Sequence, residues 1–111
     1  MESILLTKSE KQVMETFWKI GQPLSYGDLL SVCTQRSWKD KSCFMLINRL
    51  LTKGLLKAVG YKRCGKTYAR TFAPAMSRVE YWAEIVKEEN MSSSQLMELT
   101  VILSDAAKTT T

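Results

Sequence analysis

Near the middle of this chain, at Lys53-Gly54, the spacing of apolar residues changes from helical to alternating. Upstream, Val13, Met14, Phe17 and Trp18 form one helical stripe, and Cys43, Leu46, Ile47 and Leu50 form another. Downstream, residues 56–61 and 67–72 are rich in apolar, aromatic and threonine residues, the pattern of two strands. The basic segment 62–66 contains Gly65 and reads as the loop of a hairpin between them. The chain must therefore pack helices first and a hairpin afterwards, and only a few small folds do so.

Local signals set the element ends. Thr7-x-x-Glu10 has the form of a capping box and starts a helix over 8–20, which Gly21 stops. Ser25, with Asp28 three residues on, caps a second helix that turns Leu29, Leu30 and Cys33 inward. Residues 35–39 read as a turn, and Asp40 as the cap of a third helix reaching to about residue 52. Gly54 ends it, because glycine takes the left-handed backbone a helix terminus needs. Pro74 closes the sheet. Ser77 caps a fourth helix carrying Val79, Trp82, Ile85 and Val86, residues 90–94 interrupt it, and a fifth helix over 95–108 carries Leu96, Leu99, Ile102 and Leu103. The expected fold class is mainly α with a small β-hairpin wing: a winged helix-turn-helix over 1–75, followed by a C-terminal helical dimerisation segment over 76–111.

Charge is unevenly placed along these elements. Residues 1–40 balance to zero, residues 80–111 sum to −4, and residues 41–79 carry nine basic side chains and no acid. A polyanion would meet the middle of the chain. The third helix is the recognition-helix candidate, with Lys41, Ser42, Asn48 and Arg49 as donors for base edges and phosphates. Phe44 and Met45 lie among them, either against thymine methyls or as a contact for a protein. Lys62, Arg63 and Lys66 at the hairpin tip, with Lys57 and Arg70 on the strands, would reach phosphates. The fourth and fifth helices are acidic, and Trp82, Ile85, Val86, Leu96, Leu99, Ile102 and Leu103 exceed what two helices bury between themselves, which suits a homodimer.

Several chemistries are excluded or disfavoured. The absence of histidine removes imidazole-based nucleophile pairs and metal sites. Cys33, Cys43 and Cys64 form no C-x-x-C, so nothing points to a disulfide framework, a metal or a cofactor, and a reducing cytoplasmic compartment fits best. No apolar run approaches a membrane span, and Ile4-Leu5-Leu6 is too short for the core of a signal peptide. One run does mimic an enzyme motif. Gly60-Tyr61-Lys62-Arg63-Cys64-Gly65-Lys66-Thr67 satisfies the P-loop pattern G-x-x-x-x-G-K-[ST]. That motif requires a helix starting at Lys66-Thr67, whereas the residues that follow alternate like a strand. A small nucleotide-binding enzyme is accordingly the last of three readings, after a DNA-binding regulator and a winged-helix protein-interaction module, and no catalytic residue is assigned.

In the order Thr7-x-x-Glu10-x-x-Val13-Met14-x-x-x-Trp18, Leu24-Ser25, Trp38-x-x-Lys41-Ser42, Leu46-Ile47-x-Arg49-Leu50-x-x-Lys53-Gly54-Leu55-Leu56, Gly65-Lys66-x-Tyr68-x-x-x-Phe72-x-Pro74 and Glu80-Tyr81, the chain resembles the penicillinase repressor family of bacterial transcriptional regulators. The resemblance implies a winged-helix repressor that binds double-stranded DNA at a palindromic operator as a homodimer and blocks polymerase by occupancy. It also implies an inducer or a sensor protein. The chain has neither the Asn-Phe bond cleaved in β-lactam-responsive members nor the C-terminal cysteine cluster of copper-responsive ones. Phe44 and Met45 stand where compared members are polar, so the resemblance does not extend to an operator sequence.

Overall fold

The computed structural model describes residues 4–109; the outermost residues of the two expected units, 1–3 and 110–111, lie outside them. The elements run α1 (Lys8–Ile20), α2 (Tyr26–Val32), a 3-10 turn (Asp40–Ser42), α3 (Cys43–Thr52), β1 (Leu56–Cys64), β2 (Thr67–Pro74), α4 (Arg78–Glu88) and α5 (Ser93–Thr109). This is a winged helix with a C-terminal helical extension.

Four of the helices begin with the same local device. In α1, α2 and α4 a hydroxyl cap and an acid three residues on exchange hydrogen bonds: Thr7 with Glu10, Ser25 with Asp28, and Ser77 with Glu80. Ser92 and Gln95 make the same reciprocal pair at α5, so that helix starts earlier than its apolar pattern suggests. The third helix departs from expectation. Asp40 does not cap it; Asp40 sits inside the 3-10 turn and its carboxylate is taken by Arg36 one turn upstream. Lys41 and Ser42 consequently lie in that turn, and α3 proper starts at Cys43. Its end follows expectation. Gly54, at φ +79°, lets Leu55 N–H reach Leu50 O at 2.9 Å and Gly54 N–H reach Leu51 O at 3.1 Å, closing the helix while turning the chain into β1.

The core is one cluster in which the two apolar periods meet. Val13, Met14 and Phe17 from α1, Leu29 from α2 and Cys43, Leu46, Ile47 and Leu50 from α3 bury with Leu55, just ahead of β1, and with Leu56 and Phe72 of the sheet. Leu24, in the link between α1 and α2, exchanges two 2.9 Å backbone hydrogen bonds with Phe72, so the helix-turn-helix is stitched to β2.

The hairpin differs from expectation in its length. Residues 62–64 are strand, and the turn is only Gly65-Lys66, with Gly65 at φ +64° in the first turn position, which a two-residue hairpin fills with glycine. A bulge at Val59 shifts the register, so that Ala58 faces Phe72 and Gly60 faces Thr71.

The fourth helix is anchored to the core through Tyr81, not through Trp82. Tyr81 is 2% exposed, its hydroxyl accepts from Leu6 N–H at 3.1 Å, and its ring lies 5.8 Å from Trp18. Trp18 Nε1 donates to Met76 O at 3.0 Å, and Arg78 pairs with Glu15. Residues 76–88 thus pack on α1 as part of the winged-helix body.

A buried ion pair ties the ends of α1 and α3 together. Glu10 Oε1 accepts from Lys53 Nζ at 2.7 Å and from Thr7 N–H at 2.9 Å, while Lys53 also donates to Leu5 O. Removing Lys53 would strand a carboxylate that is 1% exposed. Lys53→Met should therefore lower unfolding free energy by about 3–5 kcal/mol, read by urea denaturation at neutral pH. Burial pulls the Glu10 pKa upward, but the bonds from Lys53 and Thr7 outweigh it and hold the carboxyl below 4.5. Because the folded value lies below the unfolded one, the stabilisation is complete above pH 4.5 and vanishes as pH falls through the folded value. Glu10→Gln should show a shallower loss of stability over that acidic range, and an unchanged slope would contradict this account.

Candidate nucleic-acid interface

The geometry of α3 follows from its stripe. Cys43, Leu46, Ile47 and Leu50 face the core, which leaves Phe44, Met45, Asn48, Arg49 and Thr52 on the outer face. Lys41 is exposed and Ser42 half-buried in the turn before it. With Thr7, Glu10 and Lys53, the outer residues line an open groove between α3 and the start of α1. Phe44 is 59% and Met45 47% exposed. Phe44 is nevertheless held: its ring lies 4.1 Å from that of Tyr26, which in turn meets the buried Phe72 edge-on at 5.2 Å. Burial raises the Tyr26 pKa despite the nearby Arg70, so Tyr26 presents a neutral phenol.

The hairpin brings together a set of residues the sequence reading did not. Tyr61 lies opposite Arg70, and Arg63 opposite Tyr68, so the four share one face of the ribbon in alternation. Tyr61 is 73% and Tyr68 68% exposed. The signal was present in the sequence as Tyr61-x-Arg63 and Tyr68-x-Arg70, a period-two pattern that a loop over 62–66 conceals. Arg70 also lies over the Phe72 ring at 5.3 Å, at the base of this face.

Lys62, Arg63 and Lys66 therefore do not form a single tip cluster. Lys62 points to the opposite face from Arg63, and its ammonium meets Asp28 Oδ1 on α2 at 2.8 Å. The bond from Lys62 holds Asp28 below its usual carboxylate range. Only Lys66 occupies the turn, and Lys57 lies near the base of the hairpin opposite Ala73. Arg63 and Arg70 thus share one face of the hairpin with Lys66 at its turn, and Lys41 and Arg49 are exposed at α3. Backbone position alone decides against the P-loop: Gly60 and Cys64 belong to β1, Thr67 opens β2, and no helix begins at Lys66-Thr67.

Of the C-terminal residues singled out, Ile85 packs against the core cluster and Val86 is half-buried. Trp82 is 39% exposed, with Lys11 Nζ 5.4 Å above its ring. On α5, Leu96, Ile102 and Leu103 are exposed and Leu99 half-buried, and Met97 and Val101 are exposed beside them.

A helix-hairpin surface of this kind is shared by many DNA-binding folds, and the arrangement is decided by comparison with known families. The family model for the penicillinase repressor matches residues 6–95. The chain belongs to the penicillinase repressor family. No curated protein matches it. The match spans α1 through the start of α5, so both the outer face of α3 and the wing fall inside it. Penicillinase repressors are transcriptional regulators and not a class of enzymes. Among the described residues, no group of histidine, cysteine, aspartate and glutamate side chains could hold a metal ion, and no helix is long and apolar enough to cross a membrane.

The hairpin geometry has a direct test. The wild-type chain and Lys66→Ala should give the same background signal when titrated with Mg-ATP by calorimetry. Saturable binding that Lys66→Ala abolishes would sink the assignment of residues 60–67 to a wing.

Proposed function

We propose that this chain is a transcriptional repressor that binds a palindromic operator in double-stranded DNA as a homodimer in the cytoplasm, with α3 in the major groove and the wing on flanking phosphates. The observation that carries the reading is the set of exposed cations at α3 and the hairpin, Lys41, Arg49, Lys57, Arg63, Lys66 and Arg70, in a segment over 41–79 that holds no acid. Membership of a repressor family supports the same role.

Lys41, Ser42, Asn48 and Arg49 supply donors to base edges and phosphates, Phe44 and Met45 shape the groove contact, and Lys57, Arg63, Lys66 and Arg70 supply phosphate contacts. Lys62 contributes less than its neighbours, because its ammonium already serves Asp28. The functional division is DNA binding by residues 1–75 and dimerisation by 76–111. Tyr81 sits in the core, so α4 links the two, and α5 offers the main apolar surface to a second copy. Trp82 and Val86 then lie where α4 would meet that copy, while Ile85 packs against the chain's own core. An inducer or sensor protein would act by releasing the dimer or the operator. The competing reading, a protein-interaction module using Phe44 and Met45, rests on their exposure.

Three measurements test the proposal. Arg49→Ala should weaken binding to a selected duplex by about 1–3 kcal/mol, and random duplex far less. Equal losses on both would reduce Arg49 to a phosphate contact. In a salt titration, Lys66→Ala should lower the slope of log affinity against log salt by about 0.9 per subunit, and Lys62→Ala by less. A chain ending after Asn90 keeps Tyr81 in place and lacks α5. It should remain folded, sediment as a monomer, and bind the selected operator far more weakly because the half-sites are no longer linked; a dimer persisting in that truncation would refute the role of α5.

A further inference from the structure

The outer face of α3 pairs an apolar side chain with a hydrogen-bonding one, twice. Phe44 and Asn48 lie one turn apart on the same flank, and so do Met45 and Arg49. In each pair the apolar member is nearer the helix N-terminus, the end that recognition helices direct at base edges. The major groove floor offers a matching alternation. It is lined by donors and acceptors, and its one apolar group is the 5-methyl of thymine.

The geometry points to Phe44 and Met45 as residues that read thymine methyls: Phe44 on an A·T pair whose adenine meets Asn48, and Met45 on a thymine beside a guanine met by Arg49. The assignment rests on the DNA-binding reading above and adds the sequence class of the half-site. Two further observations favour DNA as the occupant of this apolar surface over a protein. The surround is cationic, with Lys41, Arg49 and Arg70 near it, no acid between residues 41 and 79, and Asp28 already paired with Lys62. The Phe44 ring is also fixed in advance. It rests on Tyr26 at 4.1 Å, Tyr26 on Phe72 at 5.2 Å, and Phe72 is held by Leu24 through two backbone hydrogen bonds. A braced ring loses little freedom on contact, which suits a target as small as one methyl group.

The test uses the full chain and the tightest duplex it recovers from a random-sequence library. Each thymine is replaced in turn by deoxyuridine, which removes the methyl and leaves every hydrogen-bonding group in place. Two positions per half-site should each weaken binding by about fourfold, the effect of one buried methyl-sized group. Phe44→Ala should abolish the sensitivity at one of these positions and Met45→Ala at the other, while both variants still unfold in one cooperative transition, with a modest fall in midpoint for Phe44→Ala from the lost contact with Tyr26. A selected duplex bound equally well with thymine or deoxyuridine overturns the inference and leaves DNA binding intact. Sensitivity that survives in both variants also overturns it, because another residue then reads the methyls. If no duplex is bound above random sequence, the DNA-binding reading falls and takes the inference with it.

Discussion

One carboxylate oxygen, Glu10 Oε1, organises the end of the molecule where α3 stops. It accepts the Thr7 N–H that starts α1 and the Lys53 ammonium that follows α3. Lys53 then reaches Leu5 O, so the N-terminal segment, α1 and α3 converge on one ionic contact that water barely reaches. Buried pairs of this kind contribute little net stability over an apolar substitute, but they permit few alternative arrangements. The contact joins the C-terminal end of α3 to the first turn of α1. The neighbouring Leu50–Leu55 and Gly54–Leu51 hydrogen bonds close the helix within two residues of the strand start.

Much of the fold was legible because its signals are local. A hydroxyl followed three residues later by an acid marks a helix start without reference to anything distant, and three such boxes mark α1, α2 and α4. The buried stripe of α3 is likewise a matter of spacing. Where two neighbouring residues compete for one role, spacing does not decide. Tyr81 and Trp82 are adjacent aromatics, and the inward one is fixed by the approach of α4 to α1 and by the Leu6 N–H that needs a hydroxyl. Asp40 has the chemistry of a cap, yet Arg36 offers it a full charge and wins.

The candidate interface was legible in composition and not in arrangement. Basic residues between 41 and 79 announce a polyanion, but a run of cations looks the same in a loop as along a strand. Placing the turn at Gly65-Lys66 distributes Lys62 and Arg63 to opposite faces and brings Tyr61 and Tyr68 to the side of Arg63 and Arg70. The difference is between a diffuse positive tip and a surface with two distinct sides, on one of which Lys62 is paired with Asp28.

The bulge at Val59 works as a phase shifter for that surface. Ahead of it, the even-numbered residues of β1 share a face with Phe72; beyond it, the odd-numbered residues do. Were the same residues paired in step from Ala58 with no bulge, Lys62 would fall opposite Tyr68 and take the face now held by Tyr61 and Arg63. Deleting Val59 would remove the bulge and leave Gly60 opposite Thr71 and Tyr61 opposite Arg70, so each side of the wing would keep its side chains. The bulge, as much as the identity of the residues, sets which side chains each side of the wing presents.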